Sequence, residues 1–112
     1  MAHRFSLRIY SVSIEAIRKL AKLIVEIARH DPDLARQLKR SLASIPLNIA
    51  EGMESEGKLR CSRYRNALGS CNESIAAFEV AQALGYIKLE ADALEALGQV
   101  RGTLLKLVMP KR

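Results

Sequence analysis

Ser44-Ile45-Pro46-Leu47-Asn48-Ile49-Ala50-Glu51-Gly52 is the stretch that decides the fold. Ile45 and Ile49 continue the spacing of Leu34, Leu38 and Leu42, so one apolar face runs on at helical period until a glycine closes it. Pro46 lies inside that pattern. Its ring removes the hydrogen bond to the Leu42 carbonyl and bends a helix that continues through it. In the other reading the helix ends near Ser44 and a turn follows. The unbroken 3–4 spacing favours a bent helix over 33–52. Asp31-Pro32-Asp33 marks its start: Asp31 as cap, Pro32 in the first turn, and two acids at the positive end of the dipole.

Upstream, Ile14, Ile17, Leu20, Ala21, Ile24 and Ala28 follow helical spacing, with Arg18, Lys19, Lys22 and Glu26 mainly off the stripe. This predicts a helix over 11–29. Before it, Phe5, Leu7 and Ile9 alternate with Arg4, Ser6 and Arg8, an extended pattern that reads as a docked arm or an irregular lead-in. Downstream, Gly52 to Gly57 is a polar loop. A helix over 58–84 follows, with Tyr64, Leu68, Cys71, Ile75 and Phe78 on one face and Gly85 just past its end. Tyr86-Ile87 reads as an apolar connection. A last helix over 89–108 carries Leu94, Leu97, Val100, Leu104 and Leu107 before Pro110. Gly98 and Gly102 each cost that helix about 1 kcal/mol relative to alanine; close approach of another helix, or imperfection that the helix tolerates, would account for them. Four helices with short connections predict an all-α, antiparallel up-down-up-down four-helix bundle forming one domain over 1–112.

Of the 112 residues 49% are hydrophobic but only 4% aromatic, so the core is made of Leu, Ile, Val and Ala. Cys61 and Cys71 sit ten residues apart on one expected helix, roughly 15 Å at 1.5 Å per residue, which excludes a disulfide between them. Isolated reduced thiols, no apolar run of about 20 residues and no signal-peptide pattern at the start predict a soluble cytoplasmic protein with no membrane association.

The net charge of +6 is unevenly spread. Alternating helices bring Arg4, Arg8, Lys58, Arg60, Arg63, Arg65, Arg101, Lys106, Lys111 and Arg112 to one end, against Glu51, Glu54 and Glu56. That end nets +7, and the rest of the chain nets −1. Asp31, Asp33, Glu90, Asp92 and Glu95 gather at the other end. Helix dipoles explain bases at the end of the last helix and acids at helix starts. They do not explain Lys58, Arg60, Arg63 and Arg65 at a helix start, where cations oppose the dipole. These four, with Arg101, Lys106, Lys111 and Arg112, are the candidate nucleic-acid contacts. The structural alternative is a solvated face paired with Glu51, Glu54 and Glu56.

Catalytic patterns are missing. His3 and His30 are isolated, no metal-ligand spacing occurs, and no phosphate-binding or nucleophile motif is present, so neither an enzyme nor a cofactor is expected. Ser70 with Glu73, and the trio Asn48, Glu51 and Glu73, read as polar networks between helices rather than acid/base machinery. Tyr64 and Tyr86 have the chemistry to stack on bases but read more readily as core edges.

The run SIPLNIAEG, then RYRNALGS with Glu73 three residues on, then AxxLGYI at 81–87, resembles the four-helix-bundle proteins encoded by intervening sequences in bacterial 23S ribosomal RNA genes. That superfamily includes Avd, the accessory variability protein of diversity-generating retroelements. The resemblance spans about Leu7 to Leu107 and rests on Ser44, Pro46, Asn48, Glu51, Gly52, Arg63, Tyr64, Gly69, Ser70, Glu73, Gly85 and Tyr86. It implies a ring-like homopentamer, and most of these residues read as residues of fold or assembly. It supplies no catalytic set. In the Avd branch it further implies nucleic-acid binding and a reverse transcriptase partner. Apolar residues off the main stripes (Leu23, Val25, Leu47, Ala76, Val80, Leu105 and Val108) are the expected self-association surface. Two functions remain open. One is a non-enzymatic oligomer that binds nucleic acid through its basic end without sequence preference. The other is a protein–protein adaptor, or a structural ring with no strong nucleic-acid affinity.

Overall fold

A single residue, Asp31, separates the first two helices. The computed structural model describes residues 2–110, with side chains from residue 5 onward. Helix α1 runs Ala2–His30, α2 Pro32–Met53, α3 Gly57–Ala83 and α4 Glu95–Val108. The Asp31 carboxylate accepts from the Leu34 N–H at 3.0 Å and Pro32 opens the helix, as the Asp-Pro-Asp signal predicts. Each of α1 and α3 packs on both α2 and α4, so the four helices form a closed bundle. Its long dimension of 44 Å matches the roughly 1.5 Å per residue of the 29-residue α1.

The most extensive helix contact is between α2 and α3. Ser41 Oγ lies 3.0 Å from Ser74 Oγ, Ser70 Oγ donates to Ser44 Oγ at 2.8 Å, and Arg63 pairs with Glu51 at 3.0 Å. These rungs, falling along α3 as they rise along α2, define an antiparallel seam. Small side chains, including Ala67, Ser74, Ala77 and Ala81, let α3 pack closely. Leu38, Leu42, Ile45 and Ile49 are buried on α2, and Leu34 is half-buried. Helix α2 passes through the buried Pro46 without a break, so the alternative of a helix ending near Ser44 does not hold. Just past the proline, Asn48 Nδ2 donates to the Ser44 carbonyl at 3.0 Å and to its hydroxyl at 2.9 Å.

Where the seam ends, Gly52 faces the ring of Tyr64. A Cβ at Gly52 would lie 2.3 and 2.6 Å from two carbons of that ring, closer than van der Waals contact permits. The ring is buried, and its hydroxyl lies 2.6 Å from Ser6 Oγ. Gly52, Tyr64 and Ser6 thereby fasten α2, α3 and α1 together.

That contact explains the first departure from expectation. The start of the chain is not an extended arm: α1 begins at Ala2, nine residues before the predicted helix. Its buried face runs Ser6, Ile9, Ser13, Ala16, Leu20 and Ile27. Two serines on that face disguise the helical period. Ser6 is satisfied by Tyr64, and Ser13 donates to the Tyr10 carbonyl at 2.7 Å. Of the predicted stripe, only Leu20 is fully buried; Ile14, Ile17 and Ile24 are half-buried, while Ala21 and Ala28 are exposed.

The second departure is α4, which starts at Glu95 rather than near residue 89. Gly85, at φ 81°, ends α3 as predicted: its N–H reaches the Gln82 carbonyl, and the Tyr86 N–H reaches that of Ala81. Ile87 is then buried, and the Leu89 N–H is held by the Gln82 side chain at 2.6 Å. Residues 86–94 thus cross the bundle end as a pinned loop, and Tyr86 stacks on His30 with ring centroids 5.1 Å apart. On α4, Leu97, Val100, Leu104 and Val108 are buried, with Leu94 and Leu107 half-buried. Val108 therefore belongs to the core rather than to the outer apolar set. Nothing stands within 4 Å of a Cβ built at Gly98 or Gly102, so close helix approach does not explain these glycines.

The glycines predict opposite outcomes. Gly52→Ala should destabilise by about 2 kcal/mol or more through overpacking against Tyr64. Gly98→Ala and Gly102→Ala should each stabilise by about 0.5–1 kcal/mol, because only helix propensity changes. Urea denaturation of the three variants measures both signs; a Gly52→Ala variant as stable as the parent contradicts the packing described.

Candidate nucleic-acid interface

The cations at the start of α3 turn out to have two roles. Arg60 Nε donates to the Gly52 carbonyl at 3.1 Å, and Arg63 pairs with Glu51. Both reach back to the last turn of α2, where exposed carbonyls carry the negative end of the helix dipole. Ser55 completes that end, its hydroxyl donating to the Glu51 carbonyl at 2.8 Å and its N–H to the Gly52 carbonyl at 3.1 Å. Cations that oppose the α3 dipole thus complement the α2 dipole, and Arg60 and Arg63, both half-buried, are held in place.

The remaining cations are differently placed. Lys58, Arg65, Arg101 and Lys106 are exposed, and none makes an ion pair among the described residues. Glu54 and Glu56 also make none, so a wholly ion-paired basic face is not what forms. Lys106 is in the last turn of α4, whereas Arg101 lies mid-helix, set back along the axis by roughly 7 Å at 1.5 Å per residue. Lys111 and Arg112 lie outside the described residues, as does the side chain of Arg4. Arg8, one of the cations of this end, is exposed on α1 and lines a groove of about 360 Å³ between α1 and α4 together with Lys106.

The polar trio does not assemble. Glu51 is paired to Arg63, Asn48 is tied to Ser44, and Glu73 is exposed farther along α3, in a groove of about 550 Å³ with Arg36, Arg40 and Ser70. Glu51 contacts α3 at residue 63, ten residues and roughly 15 Å from Glu73. Tyr64 is buried and hydrogen-bonded, and Tyr86 is stacked, so neither ring is free for a base. Of the other motif residues, Gly69 is exposed with nothing within 4 Å of a built Cβ, and the structure gives no physical account of it. Among the described residues, no group of three His, Cys, Asp or Glu side chains could hold a metal ion, and no helix is long and apolar enough to cross a membrane.

Serine, glycine and tyrosine of the SIPLNIAEG and RYRNALGS segments thus meet across one seam. The family model for 23S rRNA-intervening sequence proteins matches residues 2–105. The chain belongs to that family. No curated protein and no solved structure is similar enough to the chain to refine the assignment. Within this family member, the motif residues Ser44, Asn48, Glu51, Gly52, Arg63, Tyr64 and Ser70 all hold α2 to α3 or α2 to itself.

The thiol of Cys71 is moved far from its ordinary value. Burial pushes its thiol from 9.0 up to about 11, offset in part by the charge of Arg101, and the thiol donates to the Leu97 carbonyl at 3.1 Å. Cys71 should therefore resist iodoacetamide in the native state while Cys61, half-buried, reacts. The folded state keeps the Cys71 proton after the unfolded state has lost it. Its contribution to stability is full below pH 9 and is lost as pH rises from 9 towards 11. Urea titrations across that range should show a smaller decline for Cys71→Ala than for the parent. The caps predict a contrast as well: Arg60→Ala should cost about 1–2 kcal/mol, and Lys58→Ala no more than about 0.5.

Proposed function

We propose that this protein is a non-enzymatic oligomer that binds nucleic acid through the basic end of the bundle, largely without sequence preference. The observation that carries the reading is that α1, α3 and α4 carry the exposed cations Arg8, Lys58, Arg65, Arg101 and Lys106 toward one end of the bundle, without ion pairs among the described residues. Arg60 and Arg63 each have a partner in the last turn of α2. Phosphates would take the place of that partner for the others. Helices α1, α3 and α4 present them without a recognition helix or zinc module, so backbone contact rather than base readout follows.

Self-assembly multiplies the patch. Val25, Leu47, Val80 and Leu105 are exposed on different faces of the bundle. A ring of five, the number that the resemblance implies, would repeat the basic end on one rim and gain from multivalency. If it follows the Avd branch of that resemblance, the protein would serve as an accessory factor to a reverse transcriptase. The second reading, a protein–protein adaptor or structural ring without strong nucleic-acid affinity, draws on an apolar groove of about 480 Å³ between α1 and α2, lined by Ile17, Ala21, Ile24 and Val25 among others.

Binding of generic single- and double-stranded RNA and DNA across a salt series, with mass measured by light scattering in the same samples, tests the proposal. A pentamer whose affinity falls steeply with salt is expected. Lys58→Glu with Arg65→Glu should lower the logarithmic salt slope by about 0.7–0.9 for each phosphate that is no longer neutralised. An unchanged slope removes these residues from the interface, and an oligomer indifferent to every nucleic acid supports the adaptor.

A further inference from the structure

Phe5 is the exception among the aromatic side chains. Tyr64 and Phe78 are buried, Tyr10 and Tyr86 half-buried, and Phe5 is 54% exposed. It stands in the groove of about 360 Å³ between α1 and α4, whose walls also present Arg8, Gln99, Thr103 and Lys106. Arg8 lies one turn along α1 from Phe5, on the same side of the helix. Among the described residues, no acidic side chain lines this groove and neither of its cations makes an ion pair. Gly102 also lines it, and a Cβ there would meet nothing within 4 Å among the described residues, which do not fill the space by packing.

We propose that this groove holds one nucleotide of a single strand, its base stacked on Phe5 and its flanking phosphates on Arg8 and Lys106. The proposal rests on the nucleic-acid reading above and narrows it, from a basic end to one groove and from any nucleic acid to an unpaired strand. An aromatic face beside two cations is the combination that single-strand binding uses, because every base has a π-face and every linkage a phosphate. Gln99 and Thr103 add an amide and a hydroxyl, which can meet base edges without selecting one base strictly. The volume is at the low end of small-ligand sites and leaves no room for a paired duplex. An acidic peptide would use the cations but has no need of the ring.

Fluorescence anisotropy with labelled 15-mer oligo(U) and oligo(dT), and with a duplex of the same length, tests it on the full chain at low salt. Phe5→Ala should weaken single-strand binding about 5- to 150-fold, the range for removal of one stacking partner. Gly102→Leu should weaken it at least as much by filling the groove. It should not lower the melting temperature, since it replaces a helical glycine with a good helix former. Duplex affinity should stay within about twofold for both variants. If the parent binds single strands and both variants bind them equally well, or if duplex affinity falls in step, the groove assignment is overturned while the nucleic-acid reading stands. Displacement of oligo(U) by polyglutamate at equal charge would overturn it as well. A parent that binds neither strand nor duplex removes the nucleic-acid reading, and this proposal with it.

Discussion

The absence of a side chain at Gly52 is the constraint on which the bundle depends. It admits the Tyr64 ring, which carries its hydroxyl across to Ser6 and so determines where α1 lies relative to α2 and α3. The same carbonyl that Gly52 contributes to the end of α2 is the one that Arg60 caps. One position therefore serves interhelical packing, a buried hydrogen bond and a helix terminus. The other rungs of the seam, Ser41 with Ser74 and Ser44 with Ser70, are short hydroxyl pairs that keep two helix backbones close without burying unpaired polar atoms.

What was legible in the sequence was what apolar period and local caps determine. Leu38, Leu42, Ile45 and Ile49 announced α2, Asp31 its start, and Gly85 the end of α3, because each acts on its own neighbours in the chain. The misreadings share one cause, a dependence on partners distant in sequence. Ser6 looks polar until Tyr64, 58 residues away, is seen to satisfy it, and without Ser6 the first nine residues lose their helical face. The late start of α4 follows from the burial of Ile87 in an extended loop, which no propensity within 89–94 records.

The site was legible as a net charge and not as an arrangement. Charge counting assigned these cations to one end, yet it could not separate Arg60 and Arg63, which close the end of α2, from Lys58 and Arg65, which face solvent. A guanidinium bound to a backbone carbonyl eight residues earlier leaves no trace in a count of charges. Phe5 was hidden by the same alternation that hid the start of α1. Once those residues are helical, Phe5 and Arg8 fall one turn apart, and that i, i+3 spacing is the signal that could have found them.

The groove between α1 and α4 has a further property, set by chain order. Its walls, near residues 5–12 and 99–106, come from the first and the fourth helix, whereas the other seams join consecutive helices. Closing it carries the largest loop entropy in the bundle. During synthesis it waits, as the α3–α4 seam does, on α4, which leaves the ribosome only after α1, α2 and α3. A growing chain therefore presents the α2–α3 seam before the α1–α4 groove, so a nascent chain that has not yet completed α4 lacks that surface.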